Sequence, residues 1–508
     1  MLTALLLAAA ALQDLKEIAR TLERAKDKAG YEAGAYQAAK DLAGMGGVEA
    51  MELRLRLFDD KMETYRGVYL RDWFYSGMQR FGDLEEAELL IDAARSRKSS
   101  DLLRTLCLRA LALGSGPVPA KELLGPGFSR APEPVRREWQ HTLGALLEGG
   151  RLDFGKRPPK DPRAEVLEKL IGASPLLTGL MQVDDLSREQ ILFLVDAAGN
   201  SKDPGDRAEL LRGMVGRGDV SRSYLLALIR DGLRDPETGP RTAAIHAAAR
   251  GRVYDSAGLL VQALEDAEGR FVAEIVDALV ELTGQRLGWS PKIWRRWWEE
   301  RGGEWLVRAR AGQLDDSDRG AGTGADEERT AAFVFGIPVD SKRIAILVDG
   351  SGSMLADKLG DRTCAEAAAA ELDLLLGQLP EDARFEAVVI GDEPVRAFGR
   401  LTAANSKSRA KAIAFLEGFD FGGTSALYDV LVAAQRIAEV DTIVLISDGG
   451  GSSGSHQYAG HMLDGLEREF QRTGVRIHGI CVGKDAPKVR FMQDLAAATG
   501  GIMVQPSG

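Results

Sequence analysis

Residues 344–354 read Ile-Ala-Ile-Leu-Val-Asp-Gly-Ser-Gly-Ser-Met. This stretch limits the folds open to the chain more than any other. Five apolar residues in a row have no helical period, and the run has the length of a strand buried on both faces. It ends in a polar, Gly-rich turn, after which 364–379 has helical spacing. A buried strand, a turn with three oxygen side chains (Asp349, Ser351, Ser353) and a helix make a good seat for a hard cation.

From about residue 333 onward, strand-like and helix-like segments alternate, as in an α/β doubly wound, mostly parallel sheet. Strands are expected at 343–348, 385–390, 395–398, 442–447, 476–482 and 502–505. Helices are expected at 364–379, 406–417, 425–439, 460–472 and 487–499. The pair 385–390 and 395–398, joined around Asp392-Glu393-Pro394, reads as a hairpin that adds one antiparallel edge strand. Ligands of such sheets sit where the carboxyl ends of neighbouring central strands meet. Asp349, Ser351 and Ser353 follow the first strand, Thr424 precedes the helix before the fourth, and Asp448 follows the fourth. Three hydroxyls and two carboxylates make an all-oxygen set that suits Mg²⁺, or Mn²⁺ or Ca²⁺.

The motifs DGSGSM, GGTS and SDGG, in this order and on these elements, resemble the von Willebrand factor type A domain with a complete metal-ion-dependent adhesion site. The resemblance covers the last third of the chain. It implies that Ser351, Ser353 and Thr424 contact the metal directly, while Asp349 and Asp448 often act through water. It also implies binding rather than turnover: an open coordination position accepts a carboxylate from a partner protein. The bland alternatives are a simple turn aspartate at Asp349, and an intact motif that stays metal-free or only structural. The last strand is followed only by Pro506-Ser507-Gly508, whereas many members of the family carry a further helix there. A switch driven by that helix is therefore not expected.

Between residues 13 and 310 helical patterns follow one another. The clearest recurrence lies at 187–284, where short apolar-striped helices alternate with turns at Asp203-Pro204, Asp235-Pro236 and Glu268-Gly269-Arg270. Stacked helix pairs of this kind form α-solenoids. Residues 235–284 resemble two helical hairpins of the HEAT family, which implies a scaffold or protein-binding surface. Trp289, Trp294, Trp297, Trp298 and Trp305 cluster at its end (289–305). They read as a packed cap rather than as an aromatic binding platform. Residues 311–330 are rich in Gly, Asp and Glu and read as a flexible linker to a domain spanning 331–508. Residues 1–12, MLTALLLAAAAL, are too short to span a bilayer and read as a signal peptide, with a buried first helix as the alternative. The expected localisation is exported, periplasmic or extracellular, with a cytoplasmic protein as the alternative.

A net charge of −11 over 508 residues gives no support to a nucleic-acid surface. Cys107, Cys364 and Cys481 are far apart and form neither a disulfide framework nor a zinc spacing. The loop 449–454 fits G-x-G-x-x-G and G-x-S-x-G only formally: no acid ends the next strand, and no ordered acid–histidine pair follows. It reads as a Gly-rich rim with His456 and His461 as polar rim residues. No GxxxxGK[ST] occurs, so the chain is not expected to be an ATPase. The expected protein is not an enzyme. It binds a protein partner that offers an acidic side chain, with no nucleic acid and no transmembrane span. A cytoplasmic cofactor of an ATPase or chelatase-like complex is the alternative, and a metal-assisted hydrolase ranks below it.

Overall fold

A computed structural model describes residues 2–26, 33–58, 68–156, 158–172, 183–215, 217–314 and 332–506. The chain divides into two compact units. One comprises Met1–Gln190 together with Ser452–His461, and the other comprises Ile191–Gly451 and Met462–Gly508.

The first unit is built largely of helices. The helix Leu2–Lys26 runs through the expected signal segment. Helices Leu84–Arg95 and Asp101–Leu113 pack on each other. The side chains of Asp83 and Ser100 accept the backbone N–H of Glu86 and Leu103 and so cap their first turns. Helix α1, Val68–Met78, buries Phe74, Tyr75 and Met78. No described helix is long and apolar enough to cross a membrane.

The second unit joins the later helices to the sheet. Helices α2 (Pro204–Met214), α3 (Thr238–Arg250) and α4 (Arg270–Thr283) pack in succession, α2 on α3 and α3 on α4. The Ala-rich side of α3 is the reason for the close approach: Ala243, Ala244, Ala247 and Ala248 are all buried. The indoles of Trp294, Trp297 and Trp305 are buried, and their rings meet mostly edge to face at 5.9–6.0 Å. Of the expected linker 311–330, residues 315–330 lie outside the described residues.

The sheet strands are β1 (Arg343–Asp349), β2 (Arg384–Ile390), β3 (Pro394–Arg396), β4 (Thr402–Ala403), β5 (Thr442–Ser447), β6 (Arg476–Cys481) and β7 (Met503–Val504). Their order is β4-β2-β1-β5-β6-β7, and β3 also pairs with β2. β1 is parallel to both its neighbours, β2 and β5, whereas β3 and β4 run antiparallel to β2. The sheet is therefore mixed: β2 and β3 form the expected hairpin, and β4 adds a second antiparallel strand where one was expected. Six of the seven residues of β1 are buried, as the unbroken apolar run requires.

Helices α5 (Cys364–Gln378), α6 (Ala459–Thr473) and α7 (Ala486–Ala498) belong to this unit along with helices Ser406–Glu417 and Leu427–Gln435, apart from the first residues of α6, which fall in the first unit. α5 opens with a reciprocal cap: Thr363 Oγ1 accepts the Glu366 N–H, and Glu366 returns its carboxylate to the Thr363 N–H. Its Leu372, Leu375 and Leu376 then enter the core under β1 and β2. A hairpin of Ala332–Val334 and Ile337–Val339 packs against α5.

The later helices are fastened to the sheet by Arg270 at the start of α4. This guanidinium is 1% exposed and donates to the carbonyls of Asp441 and Gly474 and to Thr242 Oγ1. Glu274, one turn on, lies 2.9 Å from Arg476 of β6. Burial opposes its ionisation, yet the charges of Arg270 and Arg476 hold its carboxyl below the ordinary value. Gly239, in the first turn of α3, lies against the end of α6. A Cβ there would stand 2.1 Å from the Arg472 carbonyl oxygen, so only glycine fits.

Candidate metal centre

Asp349 ends β1 and is fully buried. One carboxylate oxygen accepts the Ser351 N–H at 3.0 Å, and the other accepts the Ser447 hydroxyl at 2.6 Å. Gly350 donates to the Ile390 carbonyl, and a Cβ on it would lie 2.8 Å from that oxygen. The turn is thus pressed onto the end of β2, which turns Ser351 and Ser353 to one side. Their hydroxyl oxygens stand 2.9 Å apart.

The second loop is tied to the first through its backbone. Gly422 donates to the Gly350 carbonyl, and Ser351 forms a parallel bridge with Gly423. Thr424 follows directly, and its hydroxyl donates to Asp392. Ala426 donates to the Gly391 carbonyl, which fastens this loop to the end of β2 as well.

Asp448 follows β5 and is almost fully buried. Its Oδ1 accepts the Gly450 N–H at 2.9 Å, and its Oδ2 pairs with Lys488 Nζ at 2.7 Å. Lys488 lies in the first turn of α7. Gly449 has φ +85°, and a Cβ on it would meet the Lys488 carbonyl at 2.7 Å. Glycine is what lets this loop touch α7.

Burial raises the Asp349 carboxyl above its ordinary pKa. The hydrogen bonds from Ser447 and Ser351 oppose that rise, and the neighbouring Asp448 charge adds to it. The geometry therefore presents a desolvated carboxylate beside a second one. Two ligands held about 2.0–2.1 Å from an octahedral Mg²⁺ stand about 2.9 Å apart. The Ser351–Ser353 edge has that length. The oxygen-only donors and the buried negative charge fit a hard divalent cation.

Residues 342–504 match the family model described as von Willebrand factor type A domain. This stretch is a type A domain. Among solved structures, the chain is similar to a von Willebrand factor type A protein from Catenulispora acidiphila, at 21% identity and TM-score 0.27, over 33% of this chain. It spans only 40% of that protein's length. It is also similar to an aerotolerance-related membrane protein from Bacteroides fragilis, at 17% identity and TM-score 0.26, over 32% of this chain and 90% of that one. A third likeness is to the RO (RSR) protein of Deinococcus radiodurans, at 15% identity and TM-score 0.22, over 97% of this chain and 92% of that one. No curated protein matches the chain.

The type A domain brings Ser351 and Ser353 together and places Asp349 and Asp448 at the ends of adjacent parallel strands. Thr424 sits on the loop docked to them, with its hydroxyl on Asp392. Sequence reasoning missed Asp392 and Lys488. Asp392 looked like a turn residue, and nothing in a helix-opening Lys-Val-Arg signals an aspartate partner 40 residues earlier. The rim reading of His456 and His461 is corrected: His456 is buried, and both rings converge on Asp72 of α1. All three belong to the first unit.

Proposed function

We propose that the type A domain binds a Mg²⁺-class cation through Asp349, Ser351, Ser353, Thr424 and Asp448, and that the loaded face docks an acidic side chain of a protein partner. The observation that carries this reading is the loop docking: Ser351 bridges Gly423 and Gly422 donates to the Gly350 carbonyl, so backbone contacts join the hydroxyl pair to the Thr424 loop. When bound, the cation supplies a Lewis-acid position for a partner carboxylate. Asp349 and Asp448 contribute the compensating charge, and the three hydroxyls contribute neutral oxygens that leave the cation electrophilic. Ser447 and the Ser351 N–H hold the Asp349 carboxylate in one orientation. Thr424 joins the set by exchanging its hydrogen bond to Asp392, and Asp448 by releasing Lys488. The chain's role is recognition rather than turnover, and a HEAT-like array of the helices between residues 187 and 284 offers a second interaction surface.

Calorimetric titration of Mg²⁺ into wild type and Asp349→Ala tests the site. Saturable binding in wild type and its loss in the variant are expected, and equal affinity in both would overturn the reading. Partner capture with and without a chelator tests the docking step.

A further inference from the structure

A second cluster with metal-ligand chemistry lies in the first unit, among residues the type A site does not use. Asp72 on α1 is 4% exposed. Its Oδ2 accepts the N–H groups of Gln457 and Tyr458, at 3.0 and 2.7 Å. Its Oδ1 stands 2.8 Å from His461 Nδ1 and 3.4 Å from His456 Nδ1. The chain has only five histidines, and two of them aim the same ring nitrogen at one buried carboxylate oxygen.

We propose that Asp72, His456 and His461 form a site for a borderline divalent metal of the Zn²⁺ class. The three ligand atoms lie within 4.8 Å of one another. Two imidazole nitrogens and one carboxylate oxygen are donors that Zn²⁺ prefers, whereas Mg²⁺ and Ca²⁺ prefer oxygen alone. Ligands about 2.0–2.1 Å from a tetrahedral ion stand about 3.3–3.4 Å apart. The His456 separation has that value, and it lies beyond the ordinary 2.7–3.2 Å range of an N–H···O bond. His461, at 2.8 Å, stands at hydrogen-bond distance, so ligation moves that ring outward by about 0.5 Å.

The surroundings support ligation. Two backbone amides fix Oδ2, which leaves Oδ1 facing the rings, as an outer shell does for a ligating carboxylate. The His461 ring is clamped edge-on by Tyr75 at 4.6 Å and Tyr458 at 5.1 Å. Because Asp72 and His456 are buried, little water competes for the ion.

The test uses the full chain, stripped with a chelator and dialysed against Zn²⁺ in excess Mg²⁺, which keeps the oxygen site filled. Wild type is expected to retain one equivalent of Zn²⁺, and Co²⁺ in its place to give the visible absorption of a tetrahedral nitrogen–oxygen site. His461→Gln and Asp72→Asn should weaken retention by more than the 10- to 100-fold that outer-shell changes typically cost. Asp349→Ala should leave it unchanged, which separates this site from the proposed Mg²⁺ site. His456→Gln removes only a long contact. It is read alongside a thermal melt, so that lost metal is told apart from lost fold. No retained Zn²⁺ in folded wild type, or retention equal in wild type and folded His456→Gln, would overturn the proposal.

Discussion

Lys488 Nζ lies 2.7 Å from Asp448 Oδ2, so the type A domain carries its own cation at one of its proposed metal carboxylates. An ammonium and a divalent metal compete for that charge. Lys488 is 39% exposed, so the pair contributes only about 0.2–1 kcal/mol. Lys488→Met should therefore tighten Mg²⁺ by up to about fivefold in calorimetry. Unchanged or weaker binding would show that Lys488 leaves Asp448 at no cost, or supports the loop in another way.

The pH dependence of the metal-free protein follows from Asp349. Its carboxyl titrates above its unfolded value because burial disfavours the charge. The native state thus holds a proton that the unfolded chain has already lost, so stability falls as pH rises through that interval and stays lower above it. Asp349→Asn removes the buried charge while keeping an acceptor for the Ser351 N–H. Its melting temperature without metal should exceed that of wild type at pH 7 and approach it at acidic pH. Added Mg²⁺ should reverse the order at pH 7. Parallel melting curves at all pH values would contradict the assignment.

Arg270→Met keeps most of the side-chain volume. It leaves the Gly474 carbonyl without the guanidinium, leaves the Asp441 carbonyl with only the Arg476 N–H, and removes one of the two guanidinium partners of Glu274. Breaking a buried charged network by removing one partner costs about 3–5 kcal/mol. The denaturant midpoint of the second unit, followed by the fluorescence of its tryptophans, should fall accordingly. A midpoint equal to that of wild type would show that Arg270 does not fasten the helices to the sheet.

Export, read from the apolar run 1–12, predicts a shortened N-terminus on protein recovered outside the cytoplasm. Sequencing that terminus checks it, and an intact Met1 in cell extract would count against it.

The sheet was readable because its signals are local. The expected strand 442–447 matches Thr442–Ser447, and the expected helix 406–417 matches Ser406–Glu417. Both are bounded by turn residues, Asp441 and Asp448-Gly449 for the strand and Asn405 and Gly418 for the helix. The strand Thr402–Ala403 and the hairpin Lys358–Leu359/Arg362–Thr363 were not expected, because two residues carry no period. The five proposed ligands were legible as a motif, but the side chains that pair with two of them, Asp392 with Thr424 and Lys488 with Asp448, were not. They reach the site through tertiary packing. The same holds for Asp72, which meets His456 from 384 residues away. Nothing in the sequence around His456 and His461 points to a carboxylate so far away. Likewise, the constraint on Gly239 is the Arg472 carbonyl, which lies far along the chain.

Residues 452–461 sit between two segments of the second unit yet belong to the first, and Arg270 reaches the sheet from a helix that precedes the Gly- and Asp-rich stretch. A recombination event at that stretch, where the sequence looks easiest to cut, would deliver a type A cassette lacking Asp72 and the guanidinium that serves two of its carbonyls. Inheritance of this domain as a portable piece would therefore require both debts to be repaired in the recipient chain.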